Sequence, residues 1–455
     1  MRRKKFRLSS ITVLSVSFLA SSSVYALNNQ SLKDITTFGG LVQVDFEPPY
    51  NSIYSPYSLY SPYSPYYHNQ GYSDKYRSDI SLRRAKLFIQ GENDNWFYNY
   101  AVKSSKDNIE DRGINVEIGN AYITYKGISN NVDISLGYMP AVFGYENSLE
   151  PSNYNFMDDS ILNQMVRTVS TKGVGLKIYN NNISFSSSFF INERNINEVN
   201  NEYHFSIMNN KVDSIDSKKL ATPWGLSARL LFSPVHEPRK AYHVGGSVFY
   251  NKLSNKIDIA EANIEINKKP SAGDEQVFKS FGQNFVSHSF DMSVLPVVEN
   301  TWHASLEGAV VKGLFSAWSE IDYGVVNSVE HRNKLYVNNS DWYFACNAEA
   351  VFVLTGESHI YNYMNGTIDS LKPSGAMGAL DVSGRVSYIS FSDGLNINKD
   401  RILVLSASAT WYINQNASIK GKISLTREVN SLNAARRTLT SNDTIGLGVR
   451  AQLSW

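Results

Sequence analysis

An all-β, transmembrane antiparallel β-barrel is the fold this sequence predicts, on three observations. Apolar and polar residues alternate with a period of two, in segments of the length a tilted strand needs to cross a membrane, from end to end of the chain. Aromatic residues make up 13% of the 455 residues, with 28 tyrosines, while the mean hydropathy is negative and long apolar runs are missing after the first residues. Those first residues have the make-up of an export signal. Arg2, Arg3, Lys4, Lys5 and Arg7 precede an apolar stretch at 11–20, and Val24, Tyr25 and Ala26 offer a cleavage site.

The apolar stretch is shorter than the ~20 residues a spanning helix requires, so residues 1–26 read as a cleaved signal peptide and 27–455 as one barrel domain. Removing the signal leaves 38 basic against 42 acidic residues, a net charge of −4. That balance lacks the basic footprint of a nucleic-acid binder. Cys346 is the one cysteine, so no intramolecular disulfide forms, and it reads as a small apolar strand residue.

Strands are predicted to start near Thr36, Asp79, Trp96, Asn115, Val132, Gly173, Ile183, Trp224, Tyr242, Thr301, Leu314, Trp342, Leu380, Ile402, Ala417 and Thr444. Sixteen such starts alternate between short and long connections, as periplasmic turns and outer loops do. Two places strain the count. Residues 284–298 look strand-like but would spoil the alternation, so they are assigned to a long outer loop; the connection 357–378 is too long for a usual periplasmic turn. Fourteen or eighteen strands also fit.

The last segment places Ile445, Leu447, Val449, Ala451, Leu453 and Trp455 on one face. A soluble sandwich with such a bare apolar edge would aggregate, whereas a barrel turns that face to lipid. Residues 47–78 repeat Ser-Pro-Tyr at 55–57, 61–63 and 64–66, and proline blocks ladder pairing, so they form an outer loop.

Several blocks resemble the phosphate-selective porin O and P family of outer-membrane channels. They are Ser81-Leu-Arg-Arg-Ala-Lys-Leu-Phe-Ile-Gln-Gly91, then Asn120-Ala-Tyr-Ile-Thr-Tyr125, and Gly137-Tyr-Met-Pro-Ala-Val-Phe-Gly-Tyr-Glu-Asn-Ser-Leu-Glu150 with Asn155-Phe-Met-Asp158. Ala228-Arg-Leu-Leu-Phe-Ser-Pro-Val-His-Glu237 and Phe352-Val-Leu-Thr-Gly-Glu357 follow in the family's order. The resemblance implies a sixteen-stranded barrel in the bacterial outer membrane, usually a homotrimer, whose long third loop folds into a lumen lined by basic side chains.

On that reading residues 137–173 form the constriction loop, with Tyr145, Glu146, Glu150, Asp158, Asp159 and Arg167 as its candidate residues. The loop is net acidic where the phosphate-specific members lead one to expect lysines, and the chain ends in Trp455 where phenylalanine is commoner. The acidic loop argues against phosphate specificity.

Taking apolar neighbours as lipid-facing, alternation turns Arg84, Lys86, Lys103, Lys177, Arg229, Arg385, Lys420, Lys422 and Arg450 toward the lumen. Against them stand Glu307, Glu320, Asp322, Glu349 and Asp381. This excess of positive wall charge leans toward anions such as phosphate passing by diffusion, with no cofactor and no metal. Arg84 and Lys86, mid-strand on one face, either contact the anion or pair with the loop's acids. The competing readings are a weakly selective pore, a plugged adhesive barrel whose 47–78 loop binds surfaces, and a rim enzyme. No catalytic cluster supports the last, and the eight histidines lie at no metal-ligand spacing.

Overall fold

The computed structural model describes residues 35–47, 79–93, 95–105, 116–129, 131–165, 168, 170–191, 224–252, 297–332, 335–392, 401–430 and 440–455. The expected signal peptide and all but the first residue of the 47–78 loop lie outside them. Strands β1 (Ile35–Glu47), β2 (Asp79–Glu92), β3 (Trp96–Ser105), β4 (Val116–Ser129), β5 (Val132–Pro140) and β6 (Ser170–Tyr179) come first. They are followed by β7 (Ile183–Ile191), β8 (Trp224–Glu237), β9 (Lys240–Lys252), β10 (Val297–Lys312), β11 (Phe315–Arg332) and β12 (Leu335–Val353). After two three-residue strands, β13 (Ile360–Asn362) and β14 (Thr367–Asp369), the chain continues through β15 (Ala379–Ser392), β16 (Arg401–Tyr412), β17 (Ala417–Asn430) and β18 (Thr440–Ser454).

Sixteen of these described strands close one antiparallel barrel, each paired with its sequence neighbour, β12 with β15, and β1 with β18. Closure leaves no backbone donor or acceptor facing lipid, the condition for a sheet to cross a membrane. At the seam Gly40 N–H donates to Trp455 O at 3.0 Å and Trp455 N–H to Gly40 O at 3.1 Å. A side chain on Gly40 would lie 2.3 Å from the Trp455 ring, so glycine lets the terminal indole lie across β1.

Alternation decides the two faces. Along β8 to β11, Leu226, Leu230, Val244, Val248, Trp302, Leu306 and Ile321 are exposed outward, while Ser227, Arg229, His243, Ser247, His303, Ser305 and Glu307 are buried inside. The last strand behaves the same way, with Ile445, Leu447, Val449 and Leu453 exposed and Arg450 buried. Outward aromatics gather near both ends of the strands. Trp96, Phe232, Tyr242, Phe315, Phe352 and Trp411 sit at the short-turn end, and Phe46, Phe189, Trp302 and Phe344 toward the other. Two such girdles bracket the apolar band of a transmembrane barrel.

Three local expectations change. Val297 and Val298, expected inside the outer loop, open β10, and the rest of that segment, 284–296, lies outside the described residues. No long loop separates β11 from β12, whose 18 and 19 residues pair down to Arg332 and Leu335. Strands that long exceed the hydrocarbon, and beyond it their polar residues need only a ladder partner. The third concerns 357–378. Its excess length is the hairpin β13–β14, which turns back from the short-turn end into the barrel.

Candidate functional site

From the opposite end, the connection between β5 and β6 also turns inward. It carries two 3-10 turns, Glu146–Ser148 and Pro151–Asn153, and the short helix α1 (Ile161–Met165). A backbone inside a lumen still needs hydrogen-bond partners, and the inward wall side chains supply them strand by strand. Val142 N–H donates to Ser227 Oγ (3.1 Å), Gly144 N–H to Ser247 Oγ (3.0 Å), and Glu146 N–H to Glu320 Oε2 (3.1 Å). Further round, Asn155 donates to Glu349 (2.7 Å), Arg385 to Asp158 O (2.9 Å), Ser408 to Asn155 O (2.9 Å) and Lys420 to Tyr154 O. Gln452 and Gln43 reach Ser152 O and Pro151 O at 3.1 and 3.2 Å. Those partners lie on β8, β9, β11, β12, β15 to β18 and β1, an arc that only a segment running along the inner wall can touch.

Apolar contacts fasten the same loop. Phe143, Ile161 and Leu162 are buried with Phe190, Phe249, Val326, Tyr343, Ala345 and Ile389 of the wall, and burying a side chain of this size contributes about 1.5–3 kcal/mol. Gly144 has φ +63°, and a Cβ there would come within 2.0 Å of Glu320 Oε1, so the turn over that carboxylate admits only glycine. The Glu146 carboxyl accepts from Ser160 N–H (2.7 Å) and Ser160 Oγ. Complete burial pushes its pKa up to about 8, Arg385 pulling it down and Asp159 pushing it further up.

The β13–β14 hairpin fills the lumen from below. Buried Arg229 grips Glu307 through Nε (3.0 Å) and Nη2 (2.5 Å) and donates to the hairpin carbonyls of Asn365 (2.7 Å) and Gly366 (3.3 Å). His359 Nε2 lies 3.1 Å from Asp381, Tyr361 Oη bonds His243 Nδ1 (2.9 Å) and Ser233 (2.9 Å), and Lys177 donates to Met364 O (2.5 Å). Loop and hairpin meet: Ile368 N–H donates to Tyr145 Oη (2.9 Å), and Asn153 donates to Asp369 (3.1 Å). Tyr145 stacks on Trp318, centroids 4.6 Å apart, within a cluster that includes Leu149, Ala309, Val311, Tyr361 and Ile368.

The interior is therefore lopsided. Inward side chains on β8 to β12 and β15 to β16 are mostly buried under the two inserts, while those on β2 to β6 are mostly half-buried. Among the candidates, Arg229, Arg385 and Lys420 lie on the filled side, bonded to the inserts. Arg84, Lys86 and Lys103 line the other side, Lys177 lies there too but is tied to the hairpin at Met364 O, and Lys422 is intermediate.

Loop acids reach several of these cations. Glu150 sits 3.2 Å from Lys86, and Asp158 pairs with Lys422. Glu146, Asp159 and Tyr145 are buried in the loop's attachment, and Arg167 lies outside the described residues. Lys103 pairs with wall Glu117 at 3.3 Å.

Further inward titratable groups fall outside the sequence expectation. Asp45 takes both Arg450 Nε and Nη2 at 2.6 and 2.7 Å, Asp133 lies opposite Lys177, and His243, His303 and His359 are buried. Parity alone marks Asp45, which shares its face with Gln43 between the outward Val42 and Val44. With Asp45 and Asp133 counted, the nine inward cations expected from sequence face seven wall acids instead of five, which narrows the basic excess.

The sequence profile described as phosphate-selective porin O and P matches residues 65–455. Comparison with curated proteins gives no match. Among solved structures, the outer membrane channel DcaP of Acinetobacter baumannii superposes with a TM-score of 0.51 at 10% identity, over 93% of this chain and 97% of its own. OmpT of Vibrio cholerae superposes at 0.50 and 8% identity, over 93% and 98%. At such identities the likeness concerns the fold, and the profile carries the family: this chain belongs to the phosphate-selective porin O and P family and is an outer-membrane porin.

Proposed function

We propose that this porin passes small solutes by diffusion along the open side of its lumen, with a moderate preference for anions and no strong specificity for phosphate. One observation carries the reading: the less buried wall bears Arg84, Lys86, Lys103 and Lys126, whereas Arg229, Arg385, Lys420 and Arg450 are buried in bonds to carboxylates and inserts. Fixed charges beside a low-dielectric wall act more strongly than in bulk water. Glu150, Glu117 and Glu92 stand beside Lys86, Lys103 and Lys126 and dilute the positive field, which argues against a phosphate-specific site. The loop 141–169 sets the width in this reading, and the homotrimer expected of the family belongs to the same proposal.

The test is the reversal potential of single channels in a KCl gradient. Replacing Arg84 and Lys86 together by glutamine lowers the anion-to-cation permeability ratio; an unchanged ratio removes both from the selectivity mechanism. The joined inserts also favour a second reading, a plugged barrel with a surface-binding role. It would give no current in the same bilayers.

A further inference from the structure

We propose that the open side of the lumen binds aromatic carboxylates, flat organic anions with a single carboxylate and a ring, in preference to small hydrated anions. The proposal rests on the channel reading above and adds a ligand class to it. A water-filled porin wall has little physical reason to carry inward rings, yet Phe88, Phe97 and Tyr122 lie half-buried on the inward faces of β2, β3 and β4. Register fixes their side. Phe88 follows the inward Arg84 and Lys86 by even steps, Phe97 pairs with Glu92 and Thr124, and Tyr122 pairs with Asn99.

Two of these rings carry an ammonium. Lys86 Nζ stands 5.5 Å from the Phe88 centroid, and Lys126 Nζ stands 5.6 Å from that of Phe97. Tyr122 extends the lower ring surface, its centroid 6.0 Å from Phe97 at 45°. Because Phe97 lies opposite Glu92, four residues along β2 from Phe88, the two sites are about 13 Å apart at ~3.3 Å per residue. The amides of Gln90 and Asn99, bonded at 3.4 Å, lie between them. The stripe thus offers two successive stations, each with a cation for a carboxylate and a ring face or edge for its apolar body.

Both ammoniums already have acidic neighbours. Glu150 stands 3.2 Å from Lys86 and Glu92 stands 2.6 Å from Lys126, with the carboxylates 57% and 55% exposed. Ion pairs so open to water hold weakly, so a solute carboxylate can displace them. An inorganic anion gains only the shared ammonium, while an aromatic one gains the ring as well. The rings of the filled side are not available for this, since Tyr145 and Trp318 are buried against each other.

The experiment compares benzoate with acetate, its ringless counterpart in charge, as blockers of chloride current through the purified porin in planar bilayers. Benzoate is expected to reach half-block at a roughly three- to tenfold lower concentration than acetate. Phe88→Leu with Phe97→Leu, which keeps apolar bulk, is expected to bring benzoate to the acetate level and leave acetate unchanged. Equal block by the two anions in the unaltered porin overturns the proposal, as does a benzoate advantage that survives both substitutions. Reversal potential in KCl, read from the same channels, separates the two claims. A benzoate advantage without general anion preference supports the ring stations while removing the anion reading, and anion preference without the advantage overturns the stations alone.

Discussion

Replacing Arg229 by methionine should release the hairpin from the wall. The guanidinium is 4% exposed and its partner Glu307 0%, so solvent screening gives little discount. Losing one member of a buried pair costs about 3–5 kcal/mol, chiefly because the other charge loses its partner, and Glu307 would keep only His243 Nε2, 3.2 Å away. The hairpin carbonyls of Asn365 and Gly366 lose their donor in the same step, as does the acceptor Ser148 Oγ of the loop. At about 1.4 kcal/mol per decade, 4 kcal/mol lowers the ratio of docked to undocked hairpin by roughly a thousandfold.

Two measurements read this: single-channel conductance, expected to rise and fluctuate, and proteolysis within 354–378, expected to accelerate. The double variant Arg229→Met, Glu307→Leu separates causes. Apolar groups in place of both charges should restore the heat resistance of the barrel, while the hairpin carbonyls stay without donors and the hairpin stays loose. Unchanged conductance and unchanged proteolysis in the single variant would refute the anchoring role of Arg229.

Glu146 makes attachment of the loop depend on pH. Its carboxyl has a folded pKa of about 8 against an ordinary 4.5, so the stability gained from the neutral acid is complete below about 4.5 and is lost as pH rises through about 8. Thermal unfolding should therefore move to lower temperature between pH 5 and pH 9, and Glu146→Gln should flatten that dependence; a parallel slope in the variant counts against it. Gly378 holds φ +80°, and a Cβ there would approach Tyr412 O to 2.1 Å. Gly378→Ala should thus sharply lower the yield of folded, heat-modifiable barrel on gels, because backbone must move at the joint between hairpin and β15.

The sequence alone determined the barrel, the place of most of its strands and the parity of its charges, because each follows from a local rule, while it left the count open between fourteen and eighteen. Side chains on a strand alternate, so Arg84 and Lys86 share a face whatever lies across the lumen, and the strand starts predicted at Asp79, Trp96, Val132, Ile183, Trp224 and Ala417 are the observed ones. Only the tertiary structure decided which inward charges meet water. Arg229 and Lys86 have the same parity, yet one is sealed beneath a hairpin that begins some 130 residues later and the other stays half-buried beside the exposed Glu150. The segment 357–378 shows no register that would announce an insert, and parity does not say which wall it will cover. Contacts between distant parts of the chain, Ile368 with Tyr145 or Asn365 with Arg229, are set by how the inserts fill the finite space inside a closed barrel, a constraint that exists only once the barrel has closed.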